Sequence, residues 1–204
     1  CEIVHNYAAL SGGGLAVFYS QAEIRNSVIE NNTAGYAGGG LYAGGGLDKE
    51  EIILKIADSK FSNNKTLNIP IGSAVSPSGL GGGAHFIITK ASIINSVFSG
   101  NSAHRGGGVH TDTSQISVVS SRFYHNTSHS GGGFYTRAGD KNKLINTLFW
   151  KNSAEWGGAI YVKVAFSPVL ISNSTFHNNE SNGTNRNGEI LVEVSEVHMN
   201  NSIM

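Results

Sequence analysis

A tetrapeptide of the form F-x-x-N recurs along the chain, and this internal repeat limits the possible folds more than any other feature. Its copies are Phe61-Ser-Asn-Asn64, Phe98-Ser-Gly-Asn101, Phe123-Tyr-His-Asn126, Phe149-Trp-Lys-Asn152 and Phe176-His-Asn-Asn179, with Ile replacing Phe in Ile3-Val-His-Asn6 and Ile29-Glu-Asn-Asn32. Each copy is followed by a glycine cluster and an apolar residue, as in Gly106-Gly107-Gly108-Val109 and Gly157-Gly158-Ala159-Ile160. Successive anchors lie 26, 32, 37, 25, 26 and 27 residues apart, a unit of about 26 with two insertions. A repeat of this length is one supersecondary unit that cannot enclose a core alone and must stack on its neighbours.

Further columns stand in register. Five residues before the anchor the chain carries Ile24, Ile56, Ile93, Val118, Leu144, Ile171 and Met199. Three before it come Asn26, Asp58, Asn95, Ser120, Asn146, Asn173 and Asn201, each followed by Ser or Thr. Within a copy the apolar residues alternate with polar ones at period two, which predicts short strands separated by turns rather than helices. The expected fold is therefore all-β: a right-handed single-stranded parallel β-helix, or solenoid, of about seven coils. One domain is expected over residues 1–204, with residues 65–80 as an inserted loop. Met204 falls 28 residues after Phe176, where an eighth coil would begin, and the chain opens at Cys1 without an initiator Met, so it reads as an excerpt of a longer protein.

In that fold Asn6, Asn32, Asn64, Asn101, Asn126, Asn152 and Asn179 form an inward ladder, each amide donating to one neighbouring coil and accepting from the other. The glycine clusters are expected at turns that need positive φ and close backbone approach. A phosphate-binding loop is the rival reading of any Gly-rich segment, but no G-x-x-x-x-G-K-[ST] occurs and the clusters recur where one site would suffice.

The pairing of F-x-x-N with a G-G-x-[ILV] cluster resembles the repeats of the chlamydial polymorphic outer membrane proteins, with Phe149-Trp-Lys-Asn152 and Trp156-Gly157-Gly158-Ala159-Ile160 as the nearest match. The likeness spans the chain from Ile3 to Ile190. It implies an autotransporter-like passenger: an extracellular β-helix at a cell surface that adheres to proteins or glycans of host or neighbouring cells.

Charge excludes other partners. Fourteen basic and fourteen acidic residues cancel, and the longest charged run is Asp48-Lys49-Glu50-Glu51, so no nucleic-acid footprint exists in the sequence. No stretch approaches the roughly 18 apolar residues of a membrane helix. Sequons such as Asn31-Asn32-Thr33, Asn64-Lys65-Thr66, Asn179-Glu180-Ser181 and Asn182-Gly183-Thr184 would accept glycans in a eukaryotic secretory pathway.

For ligand binding the candidate is the column two residues beyond each glycine cluster, which includes Tyr42, His85, His110, Tyr135 and Tyr161 and is expected to face outward as a flat strip for sugar rings. The bland alternative is aromatic and imidazole stacking that stabilises a sheet. His85 and His110 as neighbours raise a metal site, without a thiolate to support it. An enzyme is the functional rival, since many parallel β-helices cleave polysaccharides, and His110, Asp112, Arg105 and Arg137 are the residues for it. The clustered aspartates and G-H-G of polygalacturonase-like sites are missing, so no catalytic residue, metal or cofactor is expected. A third reading is an architectural spacer whose open coil ends are capped by flanking domains or chains.

Overall fold

The computed structural model describes residues 1–45, 52–67, 79–184 and 188–204. All of its regular structure is strand, arranged as four seven-stranded parallel sheets that make a β-solenoid of about seven turns. One turn can be followed through Val97–Ser99, Ser102–Arg105, Val109–Asp112 and Gln115–Val119, which lie in the first, second, third and fourth sheets respectively. The next turn repeats the path through Arg122–Tyr124.

Register is fixed by what each position buries. Phe98 pairs with Phe61 on one side and Phe123 on the other, and Phe149 and Phe176 continue the column. Their rings stack at centroid distances of 4.8, 5.0, 4.9 and 5.1 Å, with planes within 11°. That spacing is the interstrand distance of a sheet, so the phenylalanines stack because the backbones beneath them do. Ile56, Ile93, Val118 and Leu144 form a facing column on the fourth sheet, all fully buried. A one-residue slip would turn every one of these side chains to solvent, and the period-two pattern forbids it.

Each corner of the coil is turned by one residue of positive φ. Between the first and second sheets it is the residue before the ladder asparagine, such as His125 (φ 55°) or Lys151 (φ 51°). Between the fourth and first it belongs to the column of Asn95 and Asn146 (φ 46° and 51°), residue types that tolerate this region. Glycine turns the corner between the second and third sheets, as at Gly106 (φ 63°). The glycine after it answers a different need, since a Cβ on Gly107 would stand 2.5 Å from the carbonyl oxygens of both Gly132 and Thr127.

The two inserted stretches of the repeat fall largely on residues 46–51 and 68–78, outside the described residues, as do Ile69-Pro70-Ile71, Val75-Ser76-Pro77 and Asp48 to Glu51. The expected loop at 65–80 is narrower than its stated bounds. Lys65–Thr66 is a strand of the second sheet paired with Thr33 and Ala34, and Leu80 bridges Ala37 and Arg105. The coil's own hydrogen bonds claim both ends of that stretch.

Candidate functional site

The asparagine column is the polar spine of the rod. Asn126 donates through Nδ2 to Asn152 Oδ1 at 2.9 Å and to the Phe98 carbonyl at 2.9 Å. Its own Oδ1 accepts from the backbone N–H and the Nδ2 of Asn101, both at 3.0 Å. The same four contacts recur at Asn32, Asn64, Asn101 and Asn152, each with no exposed surface. Both amide hydrogens and both oxygen lone pairs are thus engaged, which is how a buried amide avoids a desolvation penalty. Burial also means that the sequons at Asn64 and Asn126 offer no side chain to a modifying enzyme in the folded rod.

A second polar column runs beside it. Ser96 Oγ donates to the Ile94 carbonyl two residues back and accepts the Ser59 backbone N–H from the adjacent coil, and Ser59 and Ser121 repeat the pattern. These side chains bind coil to coil and leave nothing for chemistry.

The Tyr/His column lies in the third sheet. Tyr42, His85, His110, Tyr135 and Tyr161 are in direct register. Their rings follow one another at 5.5, 4.8, 4.8 and 5.2 Å. They do not make an open strip, however. His85, His110 and Tyr161 are each 2% exposed and Tyr135 1%, leaving only Tyr42 half-buried. The alternation that points these side chains away from the core is legible in sequence, whereas Arg137 beside His110 and Arg105 beside Tyr135 come from neighbouring coils. The Arg105 guanidinium sits 5.8 Å from the Tyr135 ring centroid, and Arg137 pairs with Asp112 across adjacent strands. A sugar ring has no flat access to this column.

Burial sets the charge of the two histidines. Desolvation pushes the His85 pKa down to about 4, against a smaller opposing pull from Asp112. His110 is held well below its ordinary value, again first by desolvation and then by His85, Arg105 and Arg137. Both are neutral at physiological pH. Among the described residues, neither ring nitrogen of His85, nor Nδ1 of His110, has a hydrogen-bond partner.

The residues considered for an enzyme do come together, but in the wrong state. Asp112 has a side chain only 9% exposed and is occupied by Arg137 Nη2, with Thr113 Oγ1 donating to its other oxygen. Arg105 is turned onto Tyr135 rather than toward that carboxylate. A general base needs a carboxylate free to meet a substrate proton, and a neutralised, enclosed Asp112 does not supply one. Among the described residues no group of three or more His, Cys, Asp or Glu side chains is placed to hold a metal ion.

Accessible aromatic surface lies elsewhere, on the outer face of the first sheet. Ser99, Tyr124, Trp150 and His177 are in register there, each immediately after a phenylalanine anchor. Tyr124 and Trp150 are partly exposed and His177 is exposed. The His125 ring meets Trp150 edge-on at 5.2 Å, and Lys151 Nζ lies 4.9 Å from the Trp150 centroid. Alongside runs a groove lined among others by Asn95, Ser120, Arg122, Asn146, Asn173 and Thr175, amides and hydroxyls with, among the described residues, a single guanidinium. Sequence reasoning passed over this column although its signal is simple: the residue after a buried anchor must point outward at period two.

Residues 95–112 match the family model described as Chlamydia polymorphic membrane protein (Chlamydia_PMP) repeat. The matched stretch starts at the turn residue Asn95, takes in Phe98, Asn101 and the glycines Gly106 to Gly108, and ends at Asp112, so it covers three of the four strands of one coil. No curated protein and no solved structure matches the chain.

Proposed function

We propose that this chain is a surface-exposed, passenger-like β-helix with an adhesin-like role, and that it meets proteins or glycans of other cells through the outer faces of its sheets. The observation that carries this reading is the division of polar groups: the asparagine and serine columns hold coil to coil, while the Tyr124–Trp150–His177 column and its amide-lined groove stand open. A rod of stacked coils is stiff, and a stiff rod presents a long face without ordering cost at contact. The match of residues 95–112 to a polymorphic membrane protein repeat supports a location at the cell surface.

The test is binding of the 204-residue chain to cultured cells and to a glycan panel, with a Tyr124→Ala/Trp150→Ala variant beside it. Removal of the two aromatics should weaken binding by about tenfold or more, the scale of one or two interface anchors. Failure to bind either target, or binding indifferent to both substitutions, overturns the reading.

The architectural role favours a second reading through one observation. Apolar side chains are exposed on the outermost coils, with Leu10 59% and Phe18 50% exposed at one end and Val194 78% and Ile203 69% at the other. Flanking coils or other chains would cover these surfaces. Sedimentation over a range of concentrations tests it, and a strict monomer in which these groups stay exposed counts against assembly through the ends.

A further inference from the structure

We infer that the outer face of the fourth sheet is a binding site for an extended anionic polysaccharide, one whose carboxylates or sulfates are separated by neutral, hydroxyl-bearing rings. The sequence disperses its basic residues, but the fold gathers four of them. Lys55, Lys90 and Lys143 belong to the fourth-sheet strands Ile52–Ala57, Thr89–Ile94 and Lys143–Ile145, and Lys141 stands at the corner just before the last. All four are exposed, and they line one groove together with Ile53, Gln115 and Ser117.

The order along the rod indicates the ligand. Lys55, Ser92, Ser117 and Lys143 form one register column, so two cations stand three coils apart with two hydroxyls between them. At the interstrand distance that separation is about 14 Å. Lys90 and Gln115 pair directly in the neighbouring column, adding a cation and an amide. Among the described residues the acidic groups on this face are few: Glu23, in register beside Lys55, is bridged to Arg25, and Asp140 accepts from Ser167 Oγ at 2.8 Å and reaches Lys141 only at 3.9 Å. The groove is otherwise floored by apolar surface, the aliphatic lysine stems beside the exposed Ile53, on which the C–H faces of sugar rings can rest.

Other anionic polymers fit less well. Among the described residues the groove is lined by no aromatic side chain on which an unpaired base could stack. An acidic peptide would seek an open strand edge, and the strands here are paired on both sides by neighbouring coils. This face is separate from the Tyr124–Trp150 column, on a different sheet, so the inference stands or falls independently of that site.

The experiment titrates the 204-residue chain with a size-defined heparin oligosaccharide by calorimetry, with neutral dextran, poly-glutamate and oligothymidylate as comparison probes. Heparin should bind, weaken as salt is added, and lose about tenfold in affinity in Lys55→Gln/Lys143→Gln, the sum of two exposed ion pairs. Lys60→Gln/Lys163→Gln, on the first and third sheets, should bind as the parent does. The site is overturned by absence of heparin binding, by an equal loss in the two double variants, by an unaffected Lys55→Gln/Lys143→Gln, or by tighter binding of poly-glutamate or oligothymidylate. Cell binding read in parallel separates the readings. Heparin affinity lost in the lysine variant supports this groove whether or not Tyr124→Ala/Trp150→Ala affects adhesion, and adhesion lost only in the aromatic variant leaves the reading of the first sheet in place.

Discussion

Replacing Asn126 by alanine should cost far more than the loss of one polar side chain at a surface. Truncation orphans two donors at once, the Asn101 backbone N–H and one Asn101 amide hydrogen, and also removes a donor from the Phe98 carbonyl. Neither Asn101 nor Asn126 has any exposed surface, so water cannot substitute. At about 1–3 kcal/mol for each buried donor left unpaired, the loss is about 2–6 kcal/mol. Asn6→Ala is the internal control. Asn6 is exposed and donates to Asn32, so its truncation should cost less than about 1 kcal/mol. Asn126→Asp separates chemistry from volume: it keeps the acceptor for Asn101 but turns a carboxylate oxygen toward Asn152 Oδ1 and the Phe98 carbonyl. Its folded pKa is therefore raised, so its deficit should shrink as pH falls, whereas that of the alanine variant should not. Urea denaturation followed by circular dichroism gives the global cost. Hydrogen exchange at the amides of residues 98–101 and 123–127 gives the local one, because a solenoid need not unfold in one step. The reasoning fails if Asn126→Ala and Asn6→Ala differ by less than about 0.5 kcal/mol, or if the exchange of those amides is unchanged.

Three further outcomes follow from the same geometry. Gly107→Ala should destabilise strongly and shift the neighbouring coils, since its Cβ would meet backbone oxygens at 2.5 Å that no rotamer can avoid; a variant with parent-like stability would show that the coils can part cheaply. Phe123→Ala opens the middle of the ring stack and should cost about 3–5 kcal/mol, read as a fall in the denaturation midpoint; a value near that of an exposed Phe18→Ala would contradict the shared core. Acid should weaken the rod through His85. The unfolded chain takes up its proton near pH 6.5 but the folded chain only at about 4, so this contribution is complete above 6.5 and lost as pH falls toward 4, by roughly 3 kcal/mol. Stability curves of the parent and of His85→Phe between those limits check this, and equal slopes would refute it.

What the sequence determined by itself was the coil. Phe61, Phe98, Phe123, Phe149 and Phe176 recur at a fixed interval because each must fill the same interior place, and the asparagine after each must satisfy the same buried backbone. Strict repetition makes tertiary neighbours readable as sequence intervals, which an ordinary domain does not allow. One corner escaped this logic. The turn from the third to the fourth sheet is made by residues as unlike as Ile88, Thr113 and Val164, all near φ 50°, and no glycine or asparagine marks it. The surfaces were decided only in three dimensions. Period two places His85, His110 and Tyr135 on an outer face, but whether an outer face meets water depends on side chains such as Arg105 and Arg137 that stacking brings beside it. The lysines show the converse: Lys55, Lys90 and Lys143 are scattered in a chain of zero net charge, and stacking sets them on one outer face. Interior positions are dictated by packing that every coil shares, while exposure and charge depend on what each coil happens to set beside its neighbours.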